Sequence, residues 1–346
     1  MAETPDQPLD QSPLLPMEAR SVAELPTEPG WQFEPKWDGF RCLDFKEGDK
    51  VRLYAKSGKP LGRYFPDVVE RLAALPGDCI LDGELVIPVG KVLSFDALQL
   101  RLHPAASRVK KLAAKTPAVF IAFDLLAIDG QSLTDKPLTE RRATLEKLLA
   151  KPHRGLSLSP YSRDLAEAKA WLGRLGGALD GVVAKRLDGL YESGERAMLK
   201  VKRIRTADCV VGGFRYGANS KLVGSMLLGL FNDEDKLDHV GFTSSFARDE
   251  KPGLTEKLEA LGTGIGFTGK APGGPSRWSS ERSTEFVSLP HTLVVEVQYD
   301  QVTGDRFRHG TTLRRWRPDK TPEQCRFDQL QQEAAPAAII DAVLAA

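Results

Sequence analysis

The stretch FEPKWDGFR, residues 33–41, places Lys36 two residues before an Asp-Gly pair and five residues before Arg41. A lysine amine is a nucleophile only when it is deprotonated, and burial or nearby cations lower its pKa and raise that fraction. A lone lysine before an Asp-Gly pair is more often an exposed residue of a hairpin. The chemical interpretation of Lys36 therefore depends on what accompanies it along the chain.

Five other short stretches accompany it, each with a charged or aromatic side chain in or beside a run of apolar residues. They are LDGEL (81–85), FDLL (123–126), DGVVAK (180–185), KVK (200–202) and RPDK (317–320). Each of them alone is a weak signal, but all six in this order and at these separations form a specific pattern.

Length and composition limit the class of protein. At roughly 150 residues per domain, 346 residues predict two domains. The 48 basic residues nearly cancel the 47 acidic ones, which excludes a polycation but not a local basic groove. No apolar run approaches the roughly 20 residues that span a bilayer, and the polar, acidic start MAETPDQPLD lacks the features of a secretory signal. We therefore expect a cytoplasmic protein, associated with the nucleoid if it is bacterial.

The four cysteines argue against a structural zinc site. None of them belongs to a CxxC pair, and none lies near a histidine at a spacing typical of zinc sites.

The first part of the chain predicts mixed α and β structure. Strands are predicted at 40–45, 51–54, 80–89, 119–128 and 181–185, and helices at 66–75, 139–149 and 164–175. After residue 205, short strands alternate with Gly and Asn/Asp turns, and one helix is expected at 253–261. A five-strand barrel with an inserted helix, which is typical of an OB-fold, fits this pattern.

We therefore predict an α+β protein with a flexible leader over residues 1–13, a first domain over 14–205 and an OB-fold domain over 206–346. The Ala-rich tail after Glu333 predicts a closing helix.

Together the six stretches resemble the covalent nucleotidyltransferase superfamily, and most closely the ATP-dependent DNA ligases, over residues 14–326. The phrases FEPKWDGFR, LDGELVI, FDLLAIDG and FRHGTTLRRWRPDK are similar to small bacterial ligases of the ligase C type and to the ligase domain of bacterial end-joining enzymes. The resemblance implies an adenylation (nucleotidyltransferase) domain of antiparallel sheets and helices, followed by an all-β OB-fold domain.

The resemblance also implies a three-step reaction. Lys36 attacks the α-phosphate of ATP and expels pyrophosphate, AMP passes to the 5′-phosphate at a nick, and the 3′-hydroxyl displaces AMP. The implied partners are ATP, Mg²⁺ or Mn²⁺, and nicked duplex DNA. We expect a monomer that acts in DNA repair, with repair or end-joining proteins as possible partners.

The family motifs that match this sequence imply roles for two sets of residues. The adenosine half of ATP is assigned to Glu34 (adenine N6), Phe123 and Val183 (the two adenine faces), and Arg41 and Glu84 (the ribose hydroxyls). The phosphates are assigned to Lys185, Lys200 and Lys202, the divalent metal to Asp180, and the pyrophosphate to Arg317, Asp319 and Lys320.

The sequence departs from the family pattern at four positions. Lys56 stands where an arginine is frequent, so a bidentate phosphate contact is replaced by a point charge. Asp180 stands for a glutamate, and its shorter side chain favours a water-mediated metal contact. Leu199 replaces a tryptophan, and Gly310 replaces a proline.

Two basic strips are candidates for contact with DNA phosphates. The first consists of Lys56, Lys59 and Arg63, and the second of Arg101, Arg108, Lys110, Lys111 and Lys115. Solubilising charge on a helix explains the second strip equally well. Arg215 and Lys221 of the second domain could contact the other side of the duplex.

Three other functions share part of this pattern. An mRNA-capping guanylyltransferase uses the same lysine chemistry and an OB domain, but Glu34 and the pair Arg308-His309 favour a ligase. An RNA ligase is disfavoured by the OB domain that ends in RPDK. A nucleic-acid binding module with an inactive transferase domain is disfavoured because each of the six stretches keeps its characteristic charged or aromatic side chain.

Overall fold

The computed structural model describes residues 14–90, 92–173, 179–202, 205–273 and 285–330. The described chain forms two compact units, residues 14–202 and 205–330. The predicted leader (1–13) and the predicted closing helix after Glu333 lie outside the described residues. The domain boundary at 205/206 stays a prediction.

Two main sheets, one small two-stranded sheet and five α-helices form the described part of the first unit. The strands are β1 (Ala19–Ser21), β2 (Trp31–Trp37), β3 (Phe40–Glu47), β4 (Lys50–Ala55), β5 (Cys79–Val86), β6 (Pro88–Val89), β7 (Val92–Leu93), β8 (Val119–Ile128), β9 (Gln131–Ser132), β10 (Leu156–Leu158), β11 (Leu179–Arg186) and β12 (Met198–Lys202). The helices are α1 (Pro66–Ala73), α2 (Phe95–Arg101), α3 (Ala106–Lys115), α4 (Leu138–Leu148) and α5 (Leu165–Gly173).

A smaller sheet has the order β1-β12-β11-β2, and a larger one has the order β10-β8-β5-β3-β4, with β9 on β8. The β3–β4 hairpin and the buried strand β8 confirm the sequence predictions. The strand predicted at 80–89 is interrupted, because β5 ends at Val86 and Pro88 begins a separate hairpin of β6 with β7. Proline has no N–H to donate, so it does not continue the ladder. Helices α2 and α3 were not predicted.

Apolar side chains fill the space on both sides of the larger sheet. One cluster lies between this sheet and the helices, where Phe65, Leu72 and Leu145 are fully buried. A second joins the smaller sheet to α5 and to Ile121 of β8. The two sheets are thereby packed around a shared core. The five stretches of the sequence pattern that belong to this unit lie on strands or at strand ends.

The second unit is a barrel of β13 (Arg205–Tyr216), β14 (Val223–Phe231), β15 (Leu237–Thr243), β16 (Val287–Ser288), β17 (Val294–Tyr299), β18 (Val302–Thr303), β19 (Arg306–Phe307) and β20 (Thr312–Trp316). Its main sheet has the order β15-β14-β13-β17-β20. A parallel bridge between Thr243 and Thr311 brings the two ends of this path together. Helix α6 (Lys251–Glu259) follows β15, as the OB-fold prediction requires.

The fold class predicted from the sequence is confirmed: an α+β unit is followed by an all-β barrel. None of the described helices combines the length and the apolar character needed to span a membrane.

Candidate active site

A cavity of about 690 Å³ is lined by strands of both sheets of the first unit. Many of the residues assigned to ATP lie in its wall: Glu34, Lys36, Arg41, Lys56, Glu84, Phe123, Val183, Lys185 and Lys200. Asp180 lies at the same place because it contacts Lys36, and Lys202 lies there because it contacts Asp180. The structure therefore brings together all the first-unit residues that the sequence predicted for the site.

Strand register explains how residues more than 140 positions apart meet. Across the smaller sheet, Lys36 of β2 pairs with Gly181 of β11, which pairs with Lys202 of β12. A Cβ atom added to Gly181 would lie 2.1 Å from the carbonyl oxygen of Val201. Only glycine at this position therefore allows β11 to approach β12 this closely.

Asp180 reaches both lysines because it is the extra residue of a β-bulge. The pairing of β11 with β2 passes from Leu179 to Gly181 and omits Asp180. A bulge turns a side chain away from its regular direction. The Asp180 Oδ2 atom lies 2.6 Å from the Lys36 Nζ atom and 3.0 Å from the Lys202 Nζ atom. One carboxylate thus bridges the candidate nucleophile and a candidate phosphate ligand.

The charge state of Lys36 differs from the sequence expectation. Burial acts to lower the pKa of Lys36, but the carboxylates of Asp180, Glu84 and Asp38 outweigh it, and the pKa is raised. Burial acts to raise the pKa of Asp180, whereas Lys36 and Lys202 hold it below its ordinary value. In this state Lys36 is an ammonium group paired with a carboxylate, so it must lose that partner before it can act as a nucleophile.

Arg41 is held by a buried carboxylate. Its Nε and Nη2 atoms donate to Asp82 at 2.5 and 2.6 Å, and Nη2 also donates to the Met17 carbonyl at 3.2 Å. The Tyr191 hydroxyl donates to the same Asp82 carboxylate at 2.7 Å. Arg41 is thereby fixed in the cavity wall beside Glu84, its cross-strand neighbour.

Phe123 also owes its position to a bulge. The pairing of β5 with β8 passes from Asp124 to Ala122 and omits Phe123. The ring lies in the cavity wall with the Arg41 guanidinium 4.4 Å and the Lys185 amine 4.6 Å from its centroid. A base stacked on Phe123 would share the ring with one of these cations or displace it.

Lys185 and Glu34 are paired with each other. The Lys185 Nζ atom lies 2.8 Å from the Glu34 Oε2 atom, and both side chains are almost fully buried. The other Glu34 oxygen accepts from the Gln32 amide at 2.9 Å. The adenine-reading and phosphate-binding roles expected for Glu34 and Lys185 would require this pair to rearrange when ATP binds.

The carboxylate of Asp180 fits a divalent metal that binds together with a nucleotide. Among the described residues, no group of three or more His, Cys, Asp or Glu side chains could hold a metal by itself. Mg²⁺ is commonly bound through one or two carboxylates together with substrate phosphates and water. A single carboxylate beside a cavity large enough for a nucleotide meets that requirement.

In the second unit, the predicted residues Arg317, Asp319 and Lys320 gather around Asp208. Arg317 donates to Asp208 at 2.7 Å and to both oxygens of Asp319 at 2.9 and 2.8 Å. The Lys320 amine lies 3.5 Å from the second Asp208 oxygen. Asp208 was not predicted, although it lies on β13 among apolar residues, where a buried carboxylate requires a cation.

Comparison with known families decides between the functions left open by the sequence. Residues 13–202 match the ATP dependent DNA ligase domain, and residues 219–320 match the ATP dependent DNA ligase C terminal region. The chain belongs to the ATP-dependent DNA ligase family. It is therefore an enzyme that forms phosphodiester bonds, and its family uses ATP and a divalent metal. The capping-type guanylyltransferase and the RNA ligase are not favoured.

Relatives of this ligase include DNA ligase C2 of Mycolicibacterium smegmatis, which is 44% identical over 335 residues. DNA ligase C of Mycobacterium tuberculosis is 41% identical over 339 residues. Both alignments cover 92% of this chain and 94% of the relative. The predicted resemblance to ligase C enzymes is confirmed.

A solved Lig E DNA ligase shares the fold. It has a TM-score of 0.56 at 16% identity, and the match covers 88% of this ligase and 100% of that chain.

For one residue of the two basic strips, Arg101, the prediction of a DNA-facing position was wrong. Arg101 is fully buried and donates to both oxygens of Asp67 at 2.6 and 2.7 Å. It therefore supports the packing of α1 against α2 and does not face solvent. The other members of that strip are exposed: Arg108, Lys110, Lys111 and Lys115. Whether they contact DNA stays a prediction.

The sequence reasoning missed Asp82, Tyr191 and Glu18. Asp82 precedes the glycine and glutamate of LDGEL, so its place in that motif was the available signal. Tyr191 and Glu18 lie outside the six stretches, and their roles depend on contacts with residues more than 30 positions away.

Proposed function

We propose that this ligase seals nicks with a 5′-phosphate and a 3′-hydroxyl in duplex DNA through a covalent AMP adduct on Lys36. The observation that supports the proposal most strongly is the position of Lys36. Its amine lies in the wall of a cavity large enough for a nucleotide, beside the paired groups Asp180 and Lys202.

In the first step, the Lys36 nitrogen forms a bond to the α-phosphorus of ATP while the bond from phosphorus to the pyrophosphate oxygen breaks. The amine must first be freed of its proton and of Asp180. A divalent metal carried on the phosphates would neutralise their charge and offer Asp180 another cation. Lys200 and Lys202 lie on β12, which is separated from the Lys36 strand by β11, and they would stabilise the negative charge that develops.

The adenosine would lie deeper in the cavity. Phe123 and Val183 would flank the base, and Glu84 and Arg41 would hold the ribose. The rigid support of Arg41 favours this assignment, since Asp82 holds Arg41 and Tyr191 in turn donates to Asp82. Preorganised donors lower the reorganisation needed at each turnover.

In the later steps, AMP passes from Lys36 to the 5′-phosphate of the nick, and the 3′-hydroxyl then displaces AMP. We assign Arg317, Asp319 and Lys320 of the second unit to the leaving pyrophosphate of the first step. We also propose that the ligase acts in DNA repair as a monomer. It would act in the cytoplasm, and at the nucleoid if the cell is bacterial.

Three parallel reactions test the proposal. The protein is incubated with a nicked duplex and Mg²⁺ in the presence of ATP, of GTP, or without nucleotide. We expect sealed product with ATP and little with GTP. Sealing with GTP alone, or no sealing of a 5′-phosphorylated nick at any protein concentration, would contradict the proposal.

A further inference from the structure

Glu18 places a carboxylate among the cations at the cavity wall, and neither the reaction nor the sequence motifs account for it. Its Oε2 atom lies 2.9 Å from the Lys56 Nζ atom and 3.8 Å from the Arg196 Nε atom. Glu18, Lys56 and Lys200 all line the cavity. The hydrogen bond from Lys56, together with the positive charges of Arg196 and Lys200, keeps the pKa of Glu18 below its ordinary value.

The Glu18 carboxylate is not needed to hold its own segment in place. The Glu18 amide donates to the Glu195 carbonyl at 2.7 Å, and its carbonyl accepts from the Met198 amide at 3.1 Å. The following residues pair in parallel with β12. Because the backbone is anchored on both sides, the side chain can change rotamer while β1 stays where it is.

The cations around Glu18 exceed the negative charge that it supplies. Lys56, Arg196 and Lys200 carry three positive charges against one carboxylate. Burial and the nearby charges of Lys36, Lys202 and Lys56 lower the pKa of Lys200, which shows that positive charge is crowded here. Such a cluster favours a ligand with two negative charges, and a terminal phosphate carries that charge near neutral pH.

We propose that Glu18 is an internal competitor for phosphate: its carboxylate occupies a phosphate position while the site is empty and swings away when a substrate phosphate binds. The inference rests on the proposed function and adds to it a residue that sets phosphate affinity. Since ion pairs between partly exposed groups are weak, a substrate phosphate can displace the carboxylate at modest cost. Removing the negative charge of Glu18 should therefore strengthen phosphate binding by about two- to fivefold.

Glu195→Gln is a matched control for Glu18→Gln. Glu195 lies on the backbone segment that pairs with Glu18, its side chain is exposed, and no ion pair to it occurs among the described residues. Both variants lose one negative charge in the same neighbourhood, so a general change in net charge would affect both equally.

Equilibrium binding distinguishes the two possible sources of phosphate. The unmodified protein and both variants are titrated, without divalent metal and at one salt concentration, with ATP and with nicked duplexes that carry a 5′-phosphate or a 5′-hydroxyl. We expect Glu18→Gln to bind at least one phosphate ligand about two- to fivefold more tightly. Tighter binding of the 5′-phosphate nick, with the 5′-hydroxyl nick unchanged, places the competition at DNA; tighter binding of ATP places it at the nucleotide.

Unchanged or weaker binding of both phosphate ligands by Glu18→Gln would overturn the inference, because weaker binding would mean that Glu18 orients Lys56. An equal gain in Glu195→Gln would also overturn it. Sealing by the unmodified protein at saturating concentration is measured separately, so that a failure of the proposed function is not mistaken for a failure of this inference.

Discussion

Replacement of Glu84 by glutamine should raise stability and weaken ATP binding at the same pH. Burial raises the pKa of Glu84 to about 7, although the cations of Arg41 and Lys36 act to lower it. A rise from 4.5 to about 7 corresponds to about 3 kcal/mol, at about 1.4 kcal/mol per pH unit. Because Glu84 lines an open cavity, water reduces this value, and we take it as an upper limit.

The direction of the pH effect follows from linkage. A group whose pKa is raised by folding contributes stability that is fully present below its unfolded pKa and is lost as the pH rises through its folded pKa. Glu84 should therefore cost stability increasingly between pH 4.5 and pH 7. Glutamine is neutral throughout, so the variant should match the unmodified protein at pH 4 and exceed it by up to about 3 kcal/mol at pH 8.

The affinity for ATP should fall in Glu84→Gln, whereas the stability should rise. An ionised carboxylate accepts hydrogen bonds from ribose hydroxyls more strongly than a neutral amide does. The ratio of ATP affinities, unmodified protein over Glu84→Gln, should therefore rise with pH through about 7 and then level off. Taking the ratio cancels the titration of ATP itself, since both proteins bind the same ligand.

Urea denaturation between pH 4 and pH 8 and ATP titration without metal provide the two measurements. A stability difference that is independent of pH would refute the reasoning, because it would show that Glu84 does not change its protonation state in this range. An affinity ratio that does not vary with pH would refute the proposed ribose contact.

Three further predictions concern other parts of the chain. Lys56→Arg should keep or raise nick sealing whereas Lys56→Ala should lose it; an active alanine variant in a sealing assay would remove Lys56 from the site. Lys320→Ala should slow labelling of the protein by ATP at least about tenfold and leave closure of a pre-adenylated nick within about a few-fold, since that step has no pyrophosphate to stabilise; equal losses would contradict the leaving-group role. Asp44 is fully buried, and neither of its carboxylate oxygens has a hydrogen-bond partner among the described residues. Burial raises its pKa well above the ordinary value. Ionisation of Asp44 should therefore destabilise the fold increasingly as the pH rises, and Asp44→Asn should be more stable by at least about 1 kcal/mol at pH 8 in thermal denaturation. A less stable variant would show that the carboxylate has hydrogen-bond partners.

Local sequence patterns predicted much of the fold, because the features concerned are themselves local. The β3–β4 hairpin follows from alternating residues around a short turn, and the barrel follows from repeated short strands and turns. The motif residues of the first unit were predicted to share a site, and the structure brings them together.

Other features depend on register and on distant partners. The bulges that turn Asp180 and Phe123 into the site arise from how β11 and β8 pair with their neighbours, which the strand patterns do not specify. Arg101 was taken for a surface residue because its partner, Asp67, lies 34 positions earlier. The raised pKa of Lys36 likewise depends on Asp180, which is 144 positions away.

The identity of the nucleophile is the central claim, and mapping of the adduct tests it most directly. The protein is incubated with ATP and Mg²⁺, digested, and analysed by mass spectrometry for peptides that carry AMP, with Lys36→Arg as the control that keeps the charge. We expect AMP on Lys36 and no adduct in the variant. AMP on another lysine, or an adduct retained in Lys36→Arg, would contradict the account.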